Sequence, residues 1–284
     1  DGSALAVHHG GDITISSVVF RDNYSGGQGG ALYVANSDDV TIVDCLFEGN
    51  SADSGGALYL LANSGATVVS NSTFSDNQAT SGGGGAVSVY ENPGTFSLFN
   101  STITGNTAHD FGGALYLHGL YSAGTILFNT MADNESGGNV DGVAVHYQYG
   151  STVTFGGNII ASSDVSYVVY SSNAGSVVTY SNDFFGQLGN VTADASDLSV
   201  DPQLLPLADN GGSTPTRALA ATSPVIDQGP SAWTTFTGDG FDQRGTPYVR
   251  VYGGQADMGA FEWEPTPEPP GPTPEPTPEP TFTG

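Results

Sequence analysis

The sequence predicts an all-β chain: a right-handed parallel β-helix of about seven coils, each of about 27 residues, closed by an irregular C-terminal cap and a Pro-rich tail. Three observations predict it. A Phe-x-x-Asn phrase returns at Phe20–Asn23, Phe47–Asn50, Phe74–Asn77, Ile103–Asn106 and, degraded, Met131–Asn134, with the Asn residues 27, 27, 29 and 28 apart. A second phrase follows each: Gly29-Gly30-Ala31-Leu32, Gly55-Gly56-Ala57-Leu58, Gly84-Gly85-Ala86-Val87, Gly112-Gly113-Ala114-Leu115 and Gly142-Val143-Ala144-Val145. A third segment alternates apolar and polar residues, as at Ile13/Ile15, Val40/Ile42, Phe96/Leu98 and Val153/Phe155. Each segment has the period of two that marks a strand, helical periodicity is absent, and the repeat is too short for a βαβ unit.

Residues 1–196 carry the coils. Like positions stack about 4.8 Å apart. The expected inward rows are Ile13, Val40, Thr67, Phe96, Ile126, Val153, Val177, and beside them Phe20, Phe47, Phe74, Ile103. Cys45 lies two residues before Phe47 and is read as a small core residue. Asn23, Asn50, Asn77, Asn106 and Asn134 are expected to form a ladder, each side chain bonding the backbone of the adjacent coil while its own φ sits in the left-handed region. Proline fits the scheme: none occurs in residues 1–92, where interior N–H groups need partners.

Residues 197–263 are read as the cap over the last coil, with Leu204, Leu205, Leu207, Leu219, Val225, Ile226, Trp233 and Phe261 as its apolar contribution. Arg217 and Arg244, inside this segment, are expected to be ion-pair hubs. At the other end, Gly2–Val7 matches the Gly-Gly-Ala-Leu phrase, so the chain opens inside a coil. Ala4, Leu5 and Val7 are then expected on an open parallel edge. Residues 264–284 hold 9 of the 16 prolines and repeat Pro-Thr-Pro-Glu, which favours a polyproline II spacer. The spacer ends in Thr281-Phe282-Thr283-Gly284, a copy of Thr73-Phe74-Ser75-Asp76 and Thr102-Ile103-Thr104-Gly105. This motivates an expectation of assembly, in which the last four residues fill the open first coil of a neighbouring copy, or of the same chain.

Charge excludes several partners. Four arginines oppose 29 carboxylates, for a net charge of -25. Nucleic acid, anionic lipid and acidic polysaccharide would all be repelled. No apolar run reaches membrane-spanning length. One cysteine precludes a disulfide framework, and the Gly/Ser/Thr/Asn/Asp-rich composition reads as secreted, the start at Asp1-Gly2-Ser3 as a processed form. Asn-x-Ser/Thr sequons occur at Asn23, Asn71, Asn100, Asn134 and Asn190, either as glycan acceptors or as turn residues. Paired-carboxylate and basic-residue phrases of polysaccharide hydrolases and lyases are missing, so no catalytic residue is expected. His8, His9, His109, His118 and His146 lack metal-ligand spacing. No cofactor is expected; calcium on the Asx-rich turns is the one candidate.

Outside the coils, Tyr33, Tyr59, Tyr116, His146 and Tyr170 share an outward register, interrupted by Ser88. The stripe is either a ladder of rings in mutual contact or a platform for sugar rings or a lateral subunit contact. The Phe-x-x-Asn and Gly-Gly-Ala-Leu phrases over residues 1–150 resemble the polymorphic outer membrane protein repeats of bacterial surface β-helices. Asp201-Pro202-Gln203-Leu204, Asp209–Thr216, Ser223–Asp227, Asp242-Gln243-Arg244-Gly245 and Asp257–Glu262 resemble a choice-of-anchor Q domain. The resemblance implies an extracellular bacterial protein used for adhesion or display. The expected function is a self-assembling surface protein; a glycan-binding adhesin and a carbohydrate-active enzyme stand as alternatives.

Overall fold

In the computed structural model, residues 3–137, 144–162, 167–173, 176–230 and 240–265 are described. The tail, with Thr281, Phe282, Thr283 and Gly284, lies outside them, as do Trp233 and Gly142-Val143.

The chain winds as a parallel β-helix. Sheet 1 has eight strands, running from Leu5–His8 through Leu32–Ala35 to Gln187–Gly189. Sheet 2 has seven, from Ile13–Ser16 to Val177–Tyr180, and sheet 3 has seven, from Val19–Arg21 to Asp183–Phe185. A short sheet 4 of four two-residue strands starts at Ser51–Ala52. Every pairing in these four sheets is between like positions of successive coils, as in Leu5↔Leu32↔Leu58 and Phe20↔Phe47↔Phe74.

The inward rows form the core. Phe20, Phe47 and Phe74 stack with centroids 4.9 and 4.6 Å apart, and Cys45 is fully buried among them. One expected member is displaced. The slot after Phe96 belongs to Gly124, and Ile126 pairs with Leu98 in the next row. The Leu115–Leu120 strand, like Val87–Asn92 before it, has six residues against four in the first three coils, and a Cβ on Gly124 would lie 3.1 Å from the Leu120 side chain, which takes the vacated space.

The corners repeat one backbone solution. Between sheets 2 and 3, Ser17, Asp44, Asn71, Asn100, Phe128, Gly157 and Ser181 all have φ between +46° and +64°. Before sheet 4 the left-handed residue is Asp22, Gly49, Asp76, Gly105 or Asp133. This corrects the expectation for the Asn ladder: the left-handed residue is the one preceding each Asn. The Asn itself has no positive φ, and its amide bonds the next coil. Asn50 N–H and Nδ2 both donate to Asn77 Oδ1 at 2.9 Å, and Asn50 Nδ2 also donates to the Phe20 carbonyl. The same bonds run from Asn23 to Asn134. The second glycine of each Gly-Gly pair is forced by stacking: a Cβ on Gly56 would lie 2.2 Å from the Gly85 carbonyl oxygen.

Two further ladders escaped the sequence. The amide of Asn63 donates to Asn92 Oδ1, and that of Ser37 to Asn63 Oδ1. At the sheet 2–3 corner the acceptors run Ser72, Ser101, Asn129, Asn158, Asn182 and finally Asp197. Asp is admissible at that last step because the uppermost member accepts from below and has no Asn above it to donate to.

The C-terminal segment does not sit over the last coil, as expected of a cap. Leu188, in the last strand of sheet 1, and Val191, just after it, pack on the core there, and Leu198 bridges Asp183. Residues 201–230 and 240–262 then turn back and lie lengthwise along the outer face of sheet 3. The reason is the outward row Thr73, Thr102, Thr130, which is buried and hydrogen-bonds to this flank. Thr102 Oγ1 donates to Gln243 Oε1 at 2.6 Å, Gln243 Nε2 donates to Thr73 Oγ1 at 2.8 Å, and the Ala260 amide donates to Thr130 Oγ1 at 3.0 Å. Higher up the row turns apolar, and Ala132, Ile159 and Ala161 pack with Leu219, Val225 and Met258. The flank extends down to Ser213, whose Oγ donates to Asp44.

Candidate functional site: the aromatic face and the first coil

Sheet 1 shows its outer face, and its register is uninterrupted over Ala6, Tyr33, Tyr59, Ser88, Tyr116, His146 and Tyr170. All five predicted stripe residues therefore share one row. Tyr33 and Tyr59 stack at 5.7 Å with planes 8° apart. At Ser88 the contact crosses to the neighbouring outward row: Tyr59 meets Tyr90 at 6.4 Å, and Tyr90 stacks on His118 at 4.2 Å. From there it branches to Tyr149 and Tyr121, and through Tyr116 to His146 and Tyr170. Tyr90, His118 and His8, which tilts on Tyr33, were missed in the sequence. Their signal was present, since residues two apart on a strand face the same side.

The rings present edges more than faces. Mutual stacking occupies the π-faces between Tyr33 and Tyr59 and between Tyr90 and His118, and each contact contributes about 0.5–1.5 kcal/mol. Burial pushes the Tyr33 and Tyr59 hydroxyls up, and that of Tyr116 up to about 12, with neighbouring Tyr90 adding to the effect at Tyr59 and Tyr116. Burial likewise lowers His118, opposed by Glu91. These groups stay uncharged near neutral pH. The most exposed tyrosines of the network are Tyr121 and Tyr149, at 53% and 37%, and His8 is exposed as well.

The flank carries the arginines. Arg217 pairs with Asp133 and donates from Nε to the Leu205 carbonyl, tying the flank to the coils. Arg244 donates to Asp242 at 2.7 Å and lies between the rings of Tyr248 and Phe261, at 3.8 and 3.9 Å. Arg250, which was not anticipated, is fully buried and donates to the carbonyls of Gly259 and Ala260. Around it burial raises Asp257 to about 6 and Glu262 to about 8, although backbone amides bond both. A cleft of about 140 Å³ opens where the flank meets the upper strands of sheet 3, lined by Asp133, Asp201, Arg217, Ser162 and Phe185 among others. Asp183 nearby is sealed from solvent; burial, with a smaller push from Asp201, raises it to about 7 against the bond from the Val200 amide. Among the described residues no three His, Cys, Asp or Glu side chains converge as a metal ion would require.

The first coil differs from the rest. Its strands Leu5–His8, Ile13–Ser16 and Val19–Arg21 stand at the ends of their sheets, each with a neighbour on one side only among the described residues. Leu5, whose counterpart Leu32 is buried, is 40% exposed, Val19, whose counterpart Leu46 is half-buried, is 60% exposed, and Ala4 is exposed. Val7 is half-buried.

Residues 3–185 match the family model described as a right handed beta helix region. No curated protein and no solved structure matches the chain.

Proposed function

The chain belongs to the right-handed β-helix family, and from that premise we propose that it is a non-catalytic structural rod of a secreted or cell-surface protein, assembling end to end with copies of itself. The observation that carries the reading is the unbroken stack, in which every coil is joined to the next by parallel pairing and by buried Asn ladders, and among the described residues the strands Leu5–His8, Ile13–Ser16 and Val19–Arg21 pair on one side only. Such an edge is a template for strand addition. A contact between unlike ends propagates as an open filament rather than closing as a dimer. The ladders make each rod rigid along its axis, because every coil is bonded to the next through backbone and side chain alike. The resemblance to surface-displayed repeats supports the location outside the cell. Electron micrographs and sedimentation of the full chain over a range of concentrations test the reading. Filaments or concentration-dependent oligomers are expected, and a monodisperse monomer throughout would refute it.

Two alternatives rest on specific features. The exposed Tyr121 and Tyr149 pair suits a glycan contact, to be tested by glycan-array binding lost in Tyr121→Ala. The Asp133–Asp201–Arg217 cleft suits a small hydroxylated ligand or a reaction on one. Neutral-oligosaccharide turnover lost in Asp201→Asn would favour catalysis over the structural reading.

A further inference from the structure

We propose that the peptide bond between Asp201 and Pro202 is a self-cleavage site, opened by the carboxylate of Asp201 with Asp183 as the proton donor, so that the flank is cut from the coils while staying bound to them. This goes beyond the structural reading above and does not depend on assembly.

The bond is the single Asp-Pro step in the chain. Its chemistry is particular. An aspartate carboxylate can close a five-membered ring on the carbonyl carbon of its own residue, a reaction that needs no encounter between separate molecules. The bond to proline is a tertiary amide, and its nitrogen departs as a secondary amine once a proton reaches it. An ordinary Asp-Pro step lacks a protonated acid held beside it.

The fold supplies that acid. Asp183, in the last strand of sheet 3, is fully buried, and its Oδ1 accepts from the amide of Val200 at 3.0 Å, two residues before the proline. Its Oδ2 is buried without a hydrogen-bond partner. Such a group is costly as a carboxylate; as a carboxyl, it carries a hydrogen that no acceptor holds. Burial first, and then the charge of Asp201, raise Asp183 to about 7, so it keeps its proton in mild acid. The other charges of this region are engaged elsewhere. Asp197 accepts from Asn182 Nδ2 and from the Asp194 amide, and Arg217 pairs with Asp133.

The bond is held on both sides. Asp201 Oδ1 accepts from the Gln203 amide at 2.9 Å, which folds the carboxylate back across the bond to Pro202. Beyond the bond, the Pro202 carbonyl accepts from Ser223 Oγ at 2.7 Å, and the Gln203 carbonyl from the Ala220 amide at 3.1 Å. Asp201 and Pro202 both line the cleft of about 140 Å³, through which water reaches the site.

In the first step a carboxylate oxygen of Asp201 bonds to the carbonyl carbon of its own residue. The bond from that carbon to the Pro202 nitrogen breaks, and the nitrogen takes the proton of Asp183. The cyclic anhydride left on Asp201 then takes up one water and opens to two carboxyl groups. Of their two protons one returns to Asp183 and the other charges the Pro202 amine. One water is consumed and nothing is oxidised or reduced. The cut flank stays in place through Gln243 on Thr73 and Thr102 and through Arg217 on Asp133.

The test incubates the full chain at about pH 6 with protease inhibitors and follows it by denaturing gel, intact mass and N-terminal sequencing. Fragments 1–201 and 202–284 are expected, the second beginning Pro-Gln-Leu-Leu, at a rate independent of protein concentration. The rate should fall tenfold for each pH step above 7 in the parent, because the donor loses its proton there. Asp183→Asn, checked for its fold by circular dichroism, should cut roughly 100-fold more slowly and lose that pH dependence, and Asp201→Ala should not be cut. Absence of a fragment beginning at Pro202 overturns the proposal. Equal rates for Asp183→Asn and the parent overturn Asp183 as donor, and an equal rate for the parent unfolded in urea overturns any part for the fold.

Discussion

Removing one rung from the middle of the Asn ladder should cost far more than removing the bottom rung. Asn77 is buried and its side chain takes part in four hydrogen bonds: its Oδ1 accepts from Asn50 N–H and Nδ2, and its Nδ2 donates to the Phe47 carbonyl at 3.0 Å and to Asn106 Oδ1 at 2.8 Å. Asn77→Ala deprives the buried Asn50 amide of that acceptor and the Phe47 carbonyl of that donor, and alanine supplies neither. At about 1–3 kcal/mol for each buried group left unsatisfied, the loss is about 3–5 kcal/mol. Asn23 is half-buried, and its side chain makes a single bond, Nδ2 to Asn50 Oδ1, which still receives the Asn23 N–H in the alanine variant. Asn23→Ala should therefore cost below about 1 kcal/mol. Urea unfolding followed by circular dichroism, with both variants compared at matched slopes, measures the difference. Equal losses for the two positions would refute the claim that the side-chain ladder, rather than the turn conformation, is what Asn supplies.

Asp183→Asn should flatten the dependence of stability on pH. The folded carboxyl holds its proton to about pH 7 against 3.8 for the free group, so stability is fullest in acid and is lost as pH rises between those values. At about 1.4 kcal/mol per pH interval this reaches roughly 4 kcal/mol, which the variant should recover at pH 8; a stability profile parallel to that of the parent would contradict the assignment. Gly56→Ala should cost more than about 2 kcal/mol, because its Cβ meets the Gly85 carbonyl, whereas Gly11→Ala, with open space around it, should stay within about 0.5 kcal/mol of the parent in the same denaturation assay. Gln243→Ala should loosen the flank from sheet 3, read as faster proteolysis within residues 201–262 while the coils stay protected, since its amide joins Thr73, Thr102 and Thr214. Secretion from a glycosylating host should place a glycan at Asn190, which is exposed, and leave Asn100 and Asn134 unmodified, because both are buried and donate from Nδ2 to the Phe241 and Ile103 carbonyls; intact mass spectrometry reads the outcome.

The winding of the chain was legible in the sequence because a solenoid is a local object. Each coil contacts the ones before and after it, so a repeat in sequence becomes a repeat in space. Phe20, Phe47 and Phe74, the five ladder Asn residues and the stripe from Tyr33 to Tyr170 all fell where their spacing put them. Where a coil changed length the spacing misled, as with Ile126 and the Gly124 that holds its expected slot. Period two also revealed less than it contained, since Tyr90 and His118 obey the same rule as Tyr33.

What only tertiary structure decided lies in contacts between residues far apart in the chain. The flank runs back along sheet 3 because Thr73, Thr102 and Thr130 face a segment some 130 to 170 residues later, as in the Gln243 to Thr73 bond, and no local pattern encodes that pairing. The stacking of the aromatic rings, face against face, is likewise a matter of side-chain rotation that register leaves free. The sequence by itself determined the coil, its inward rows and its turn chemistry, all set by neighbours at a fixed interval. The placement of the C-terminal segment and the burial that lifts Asp183, Asp257 and Glu262 came from close approach, which exists only once the coils are stacked.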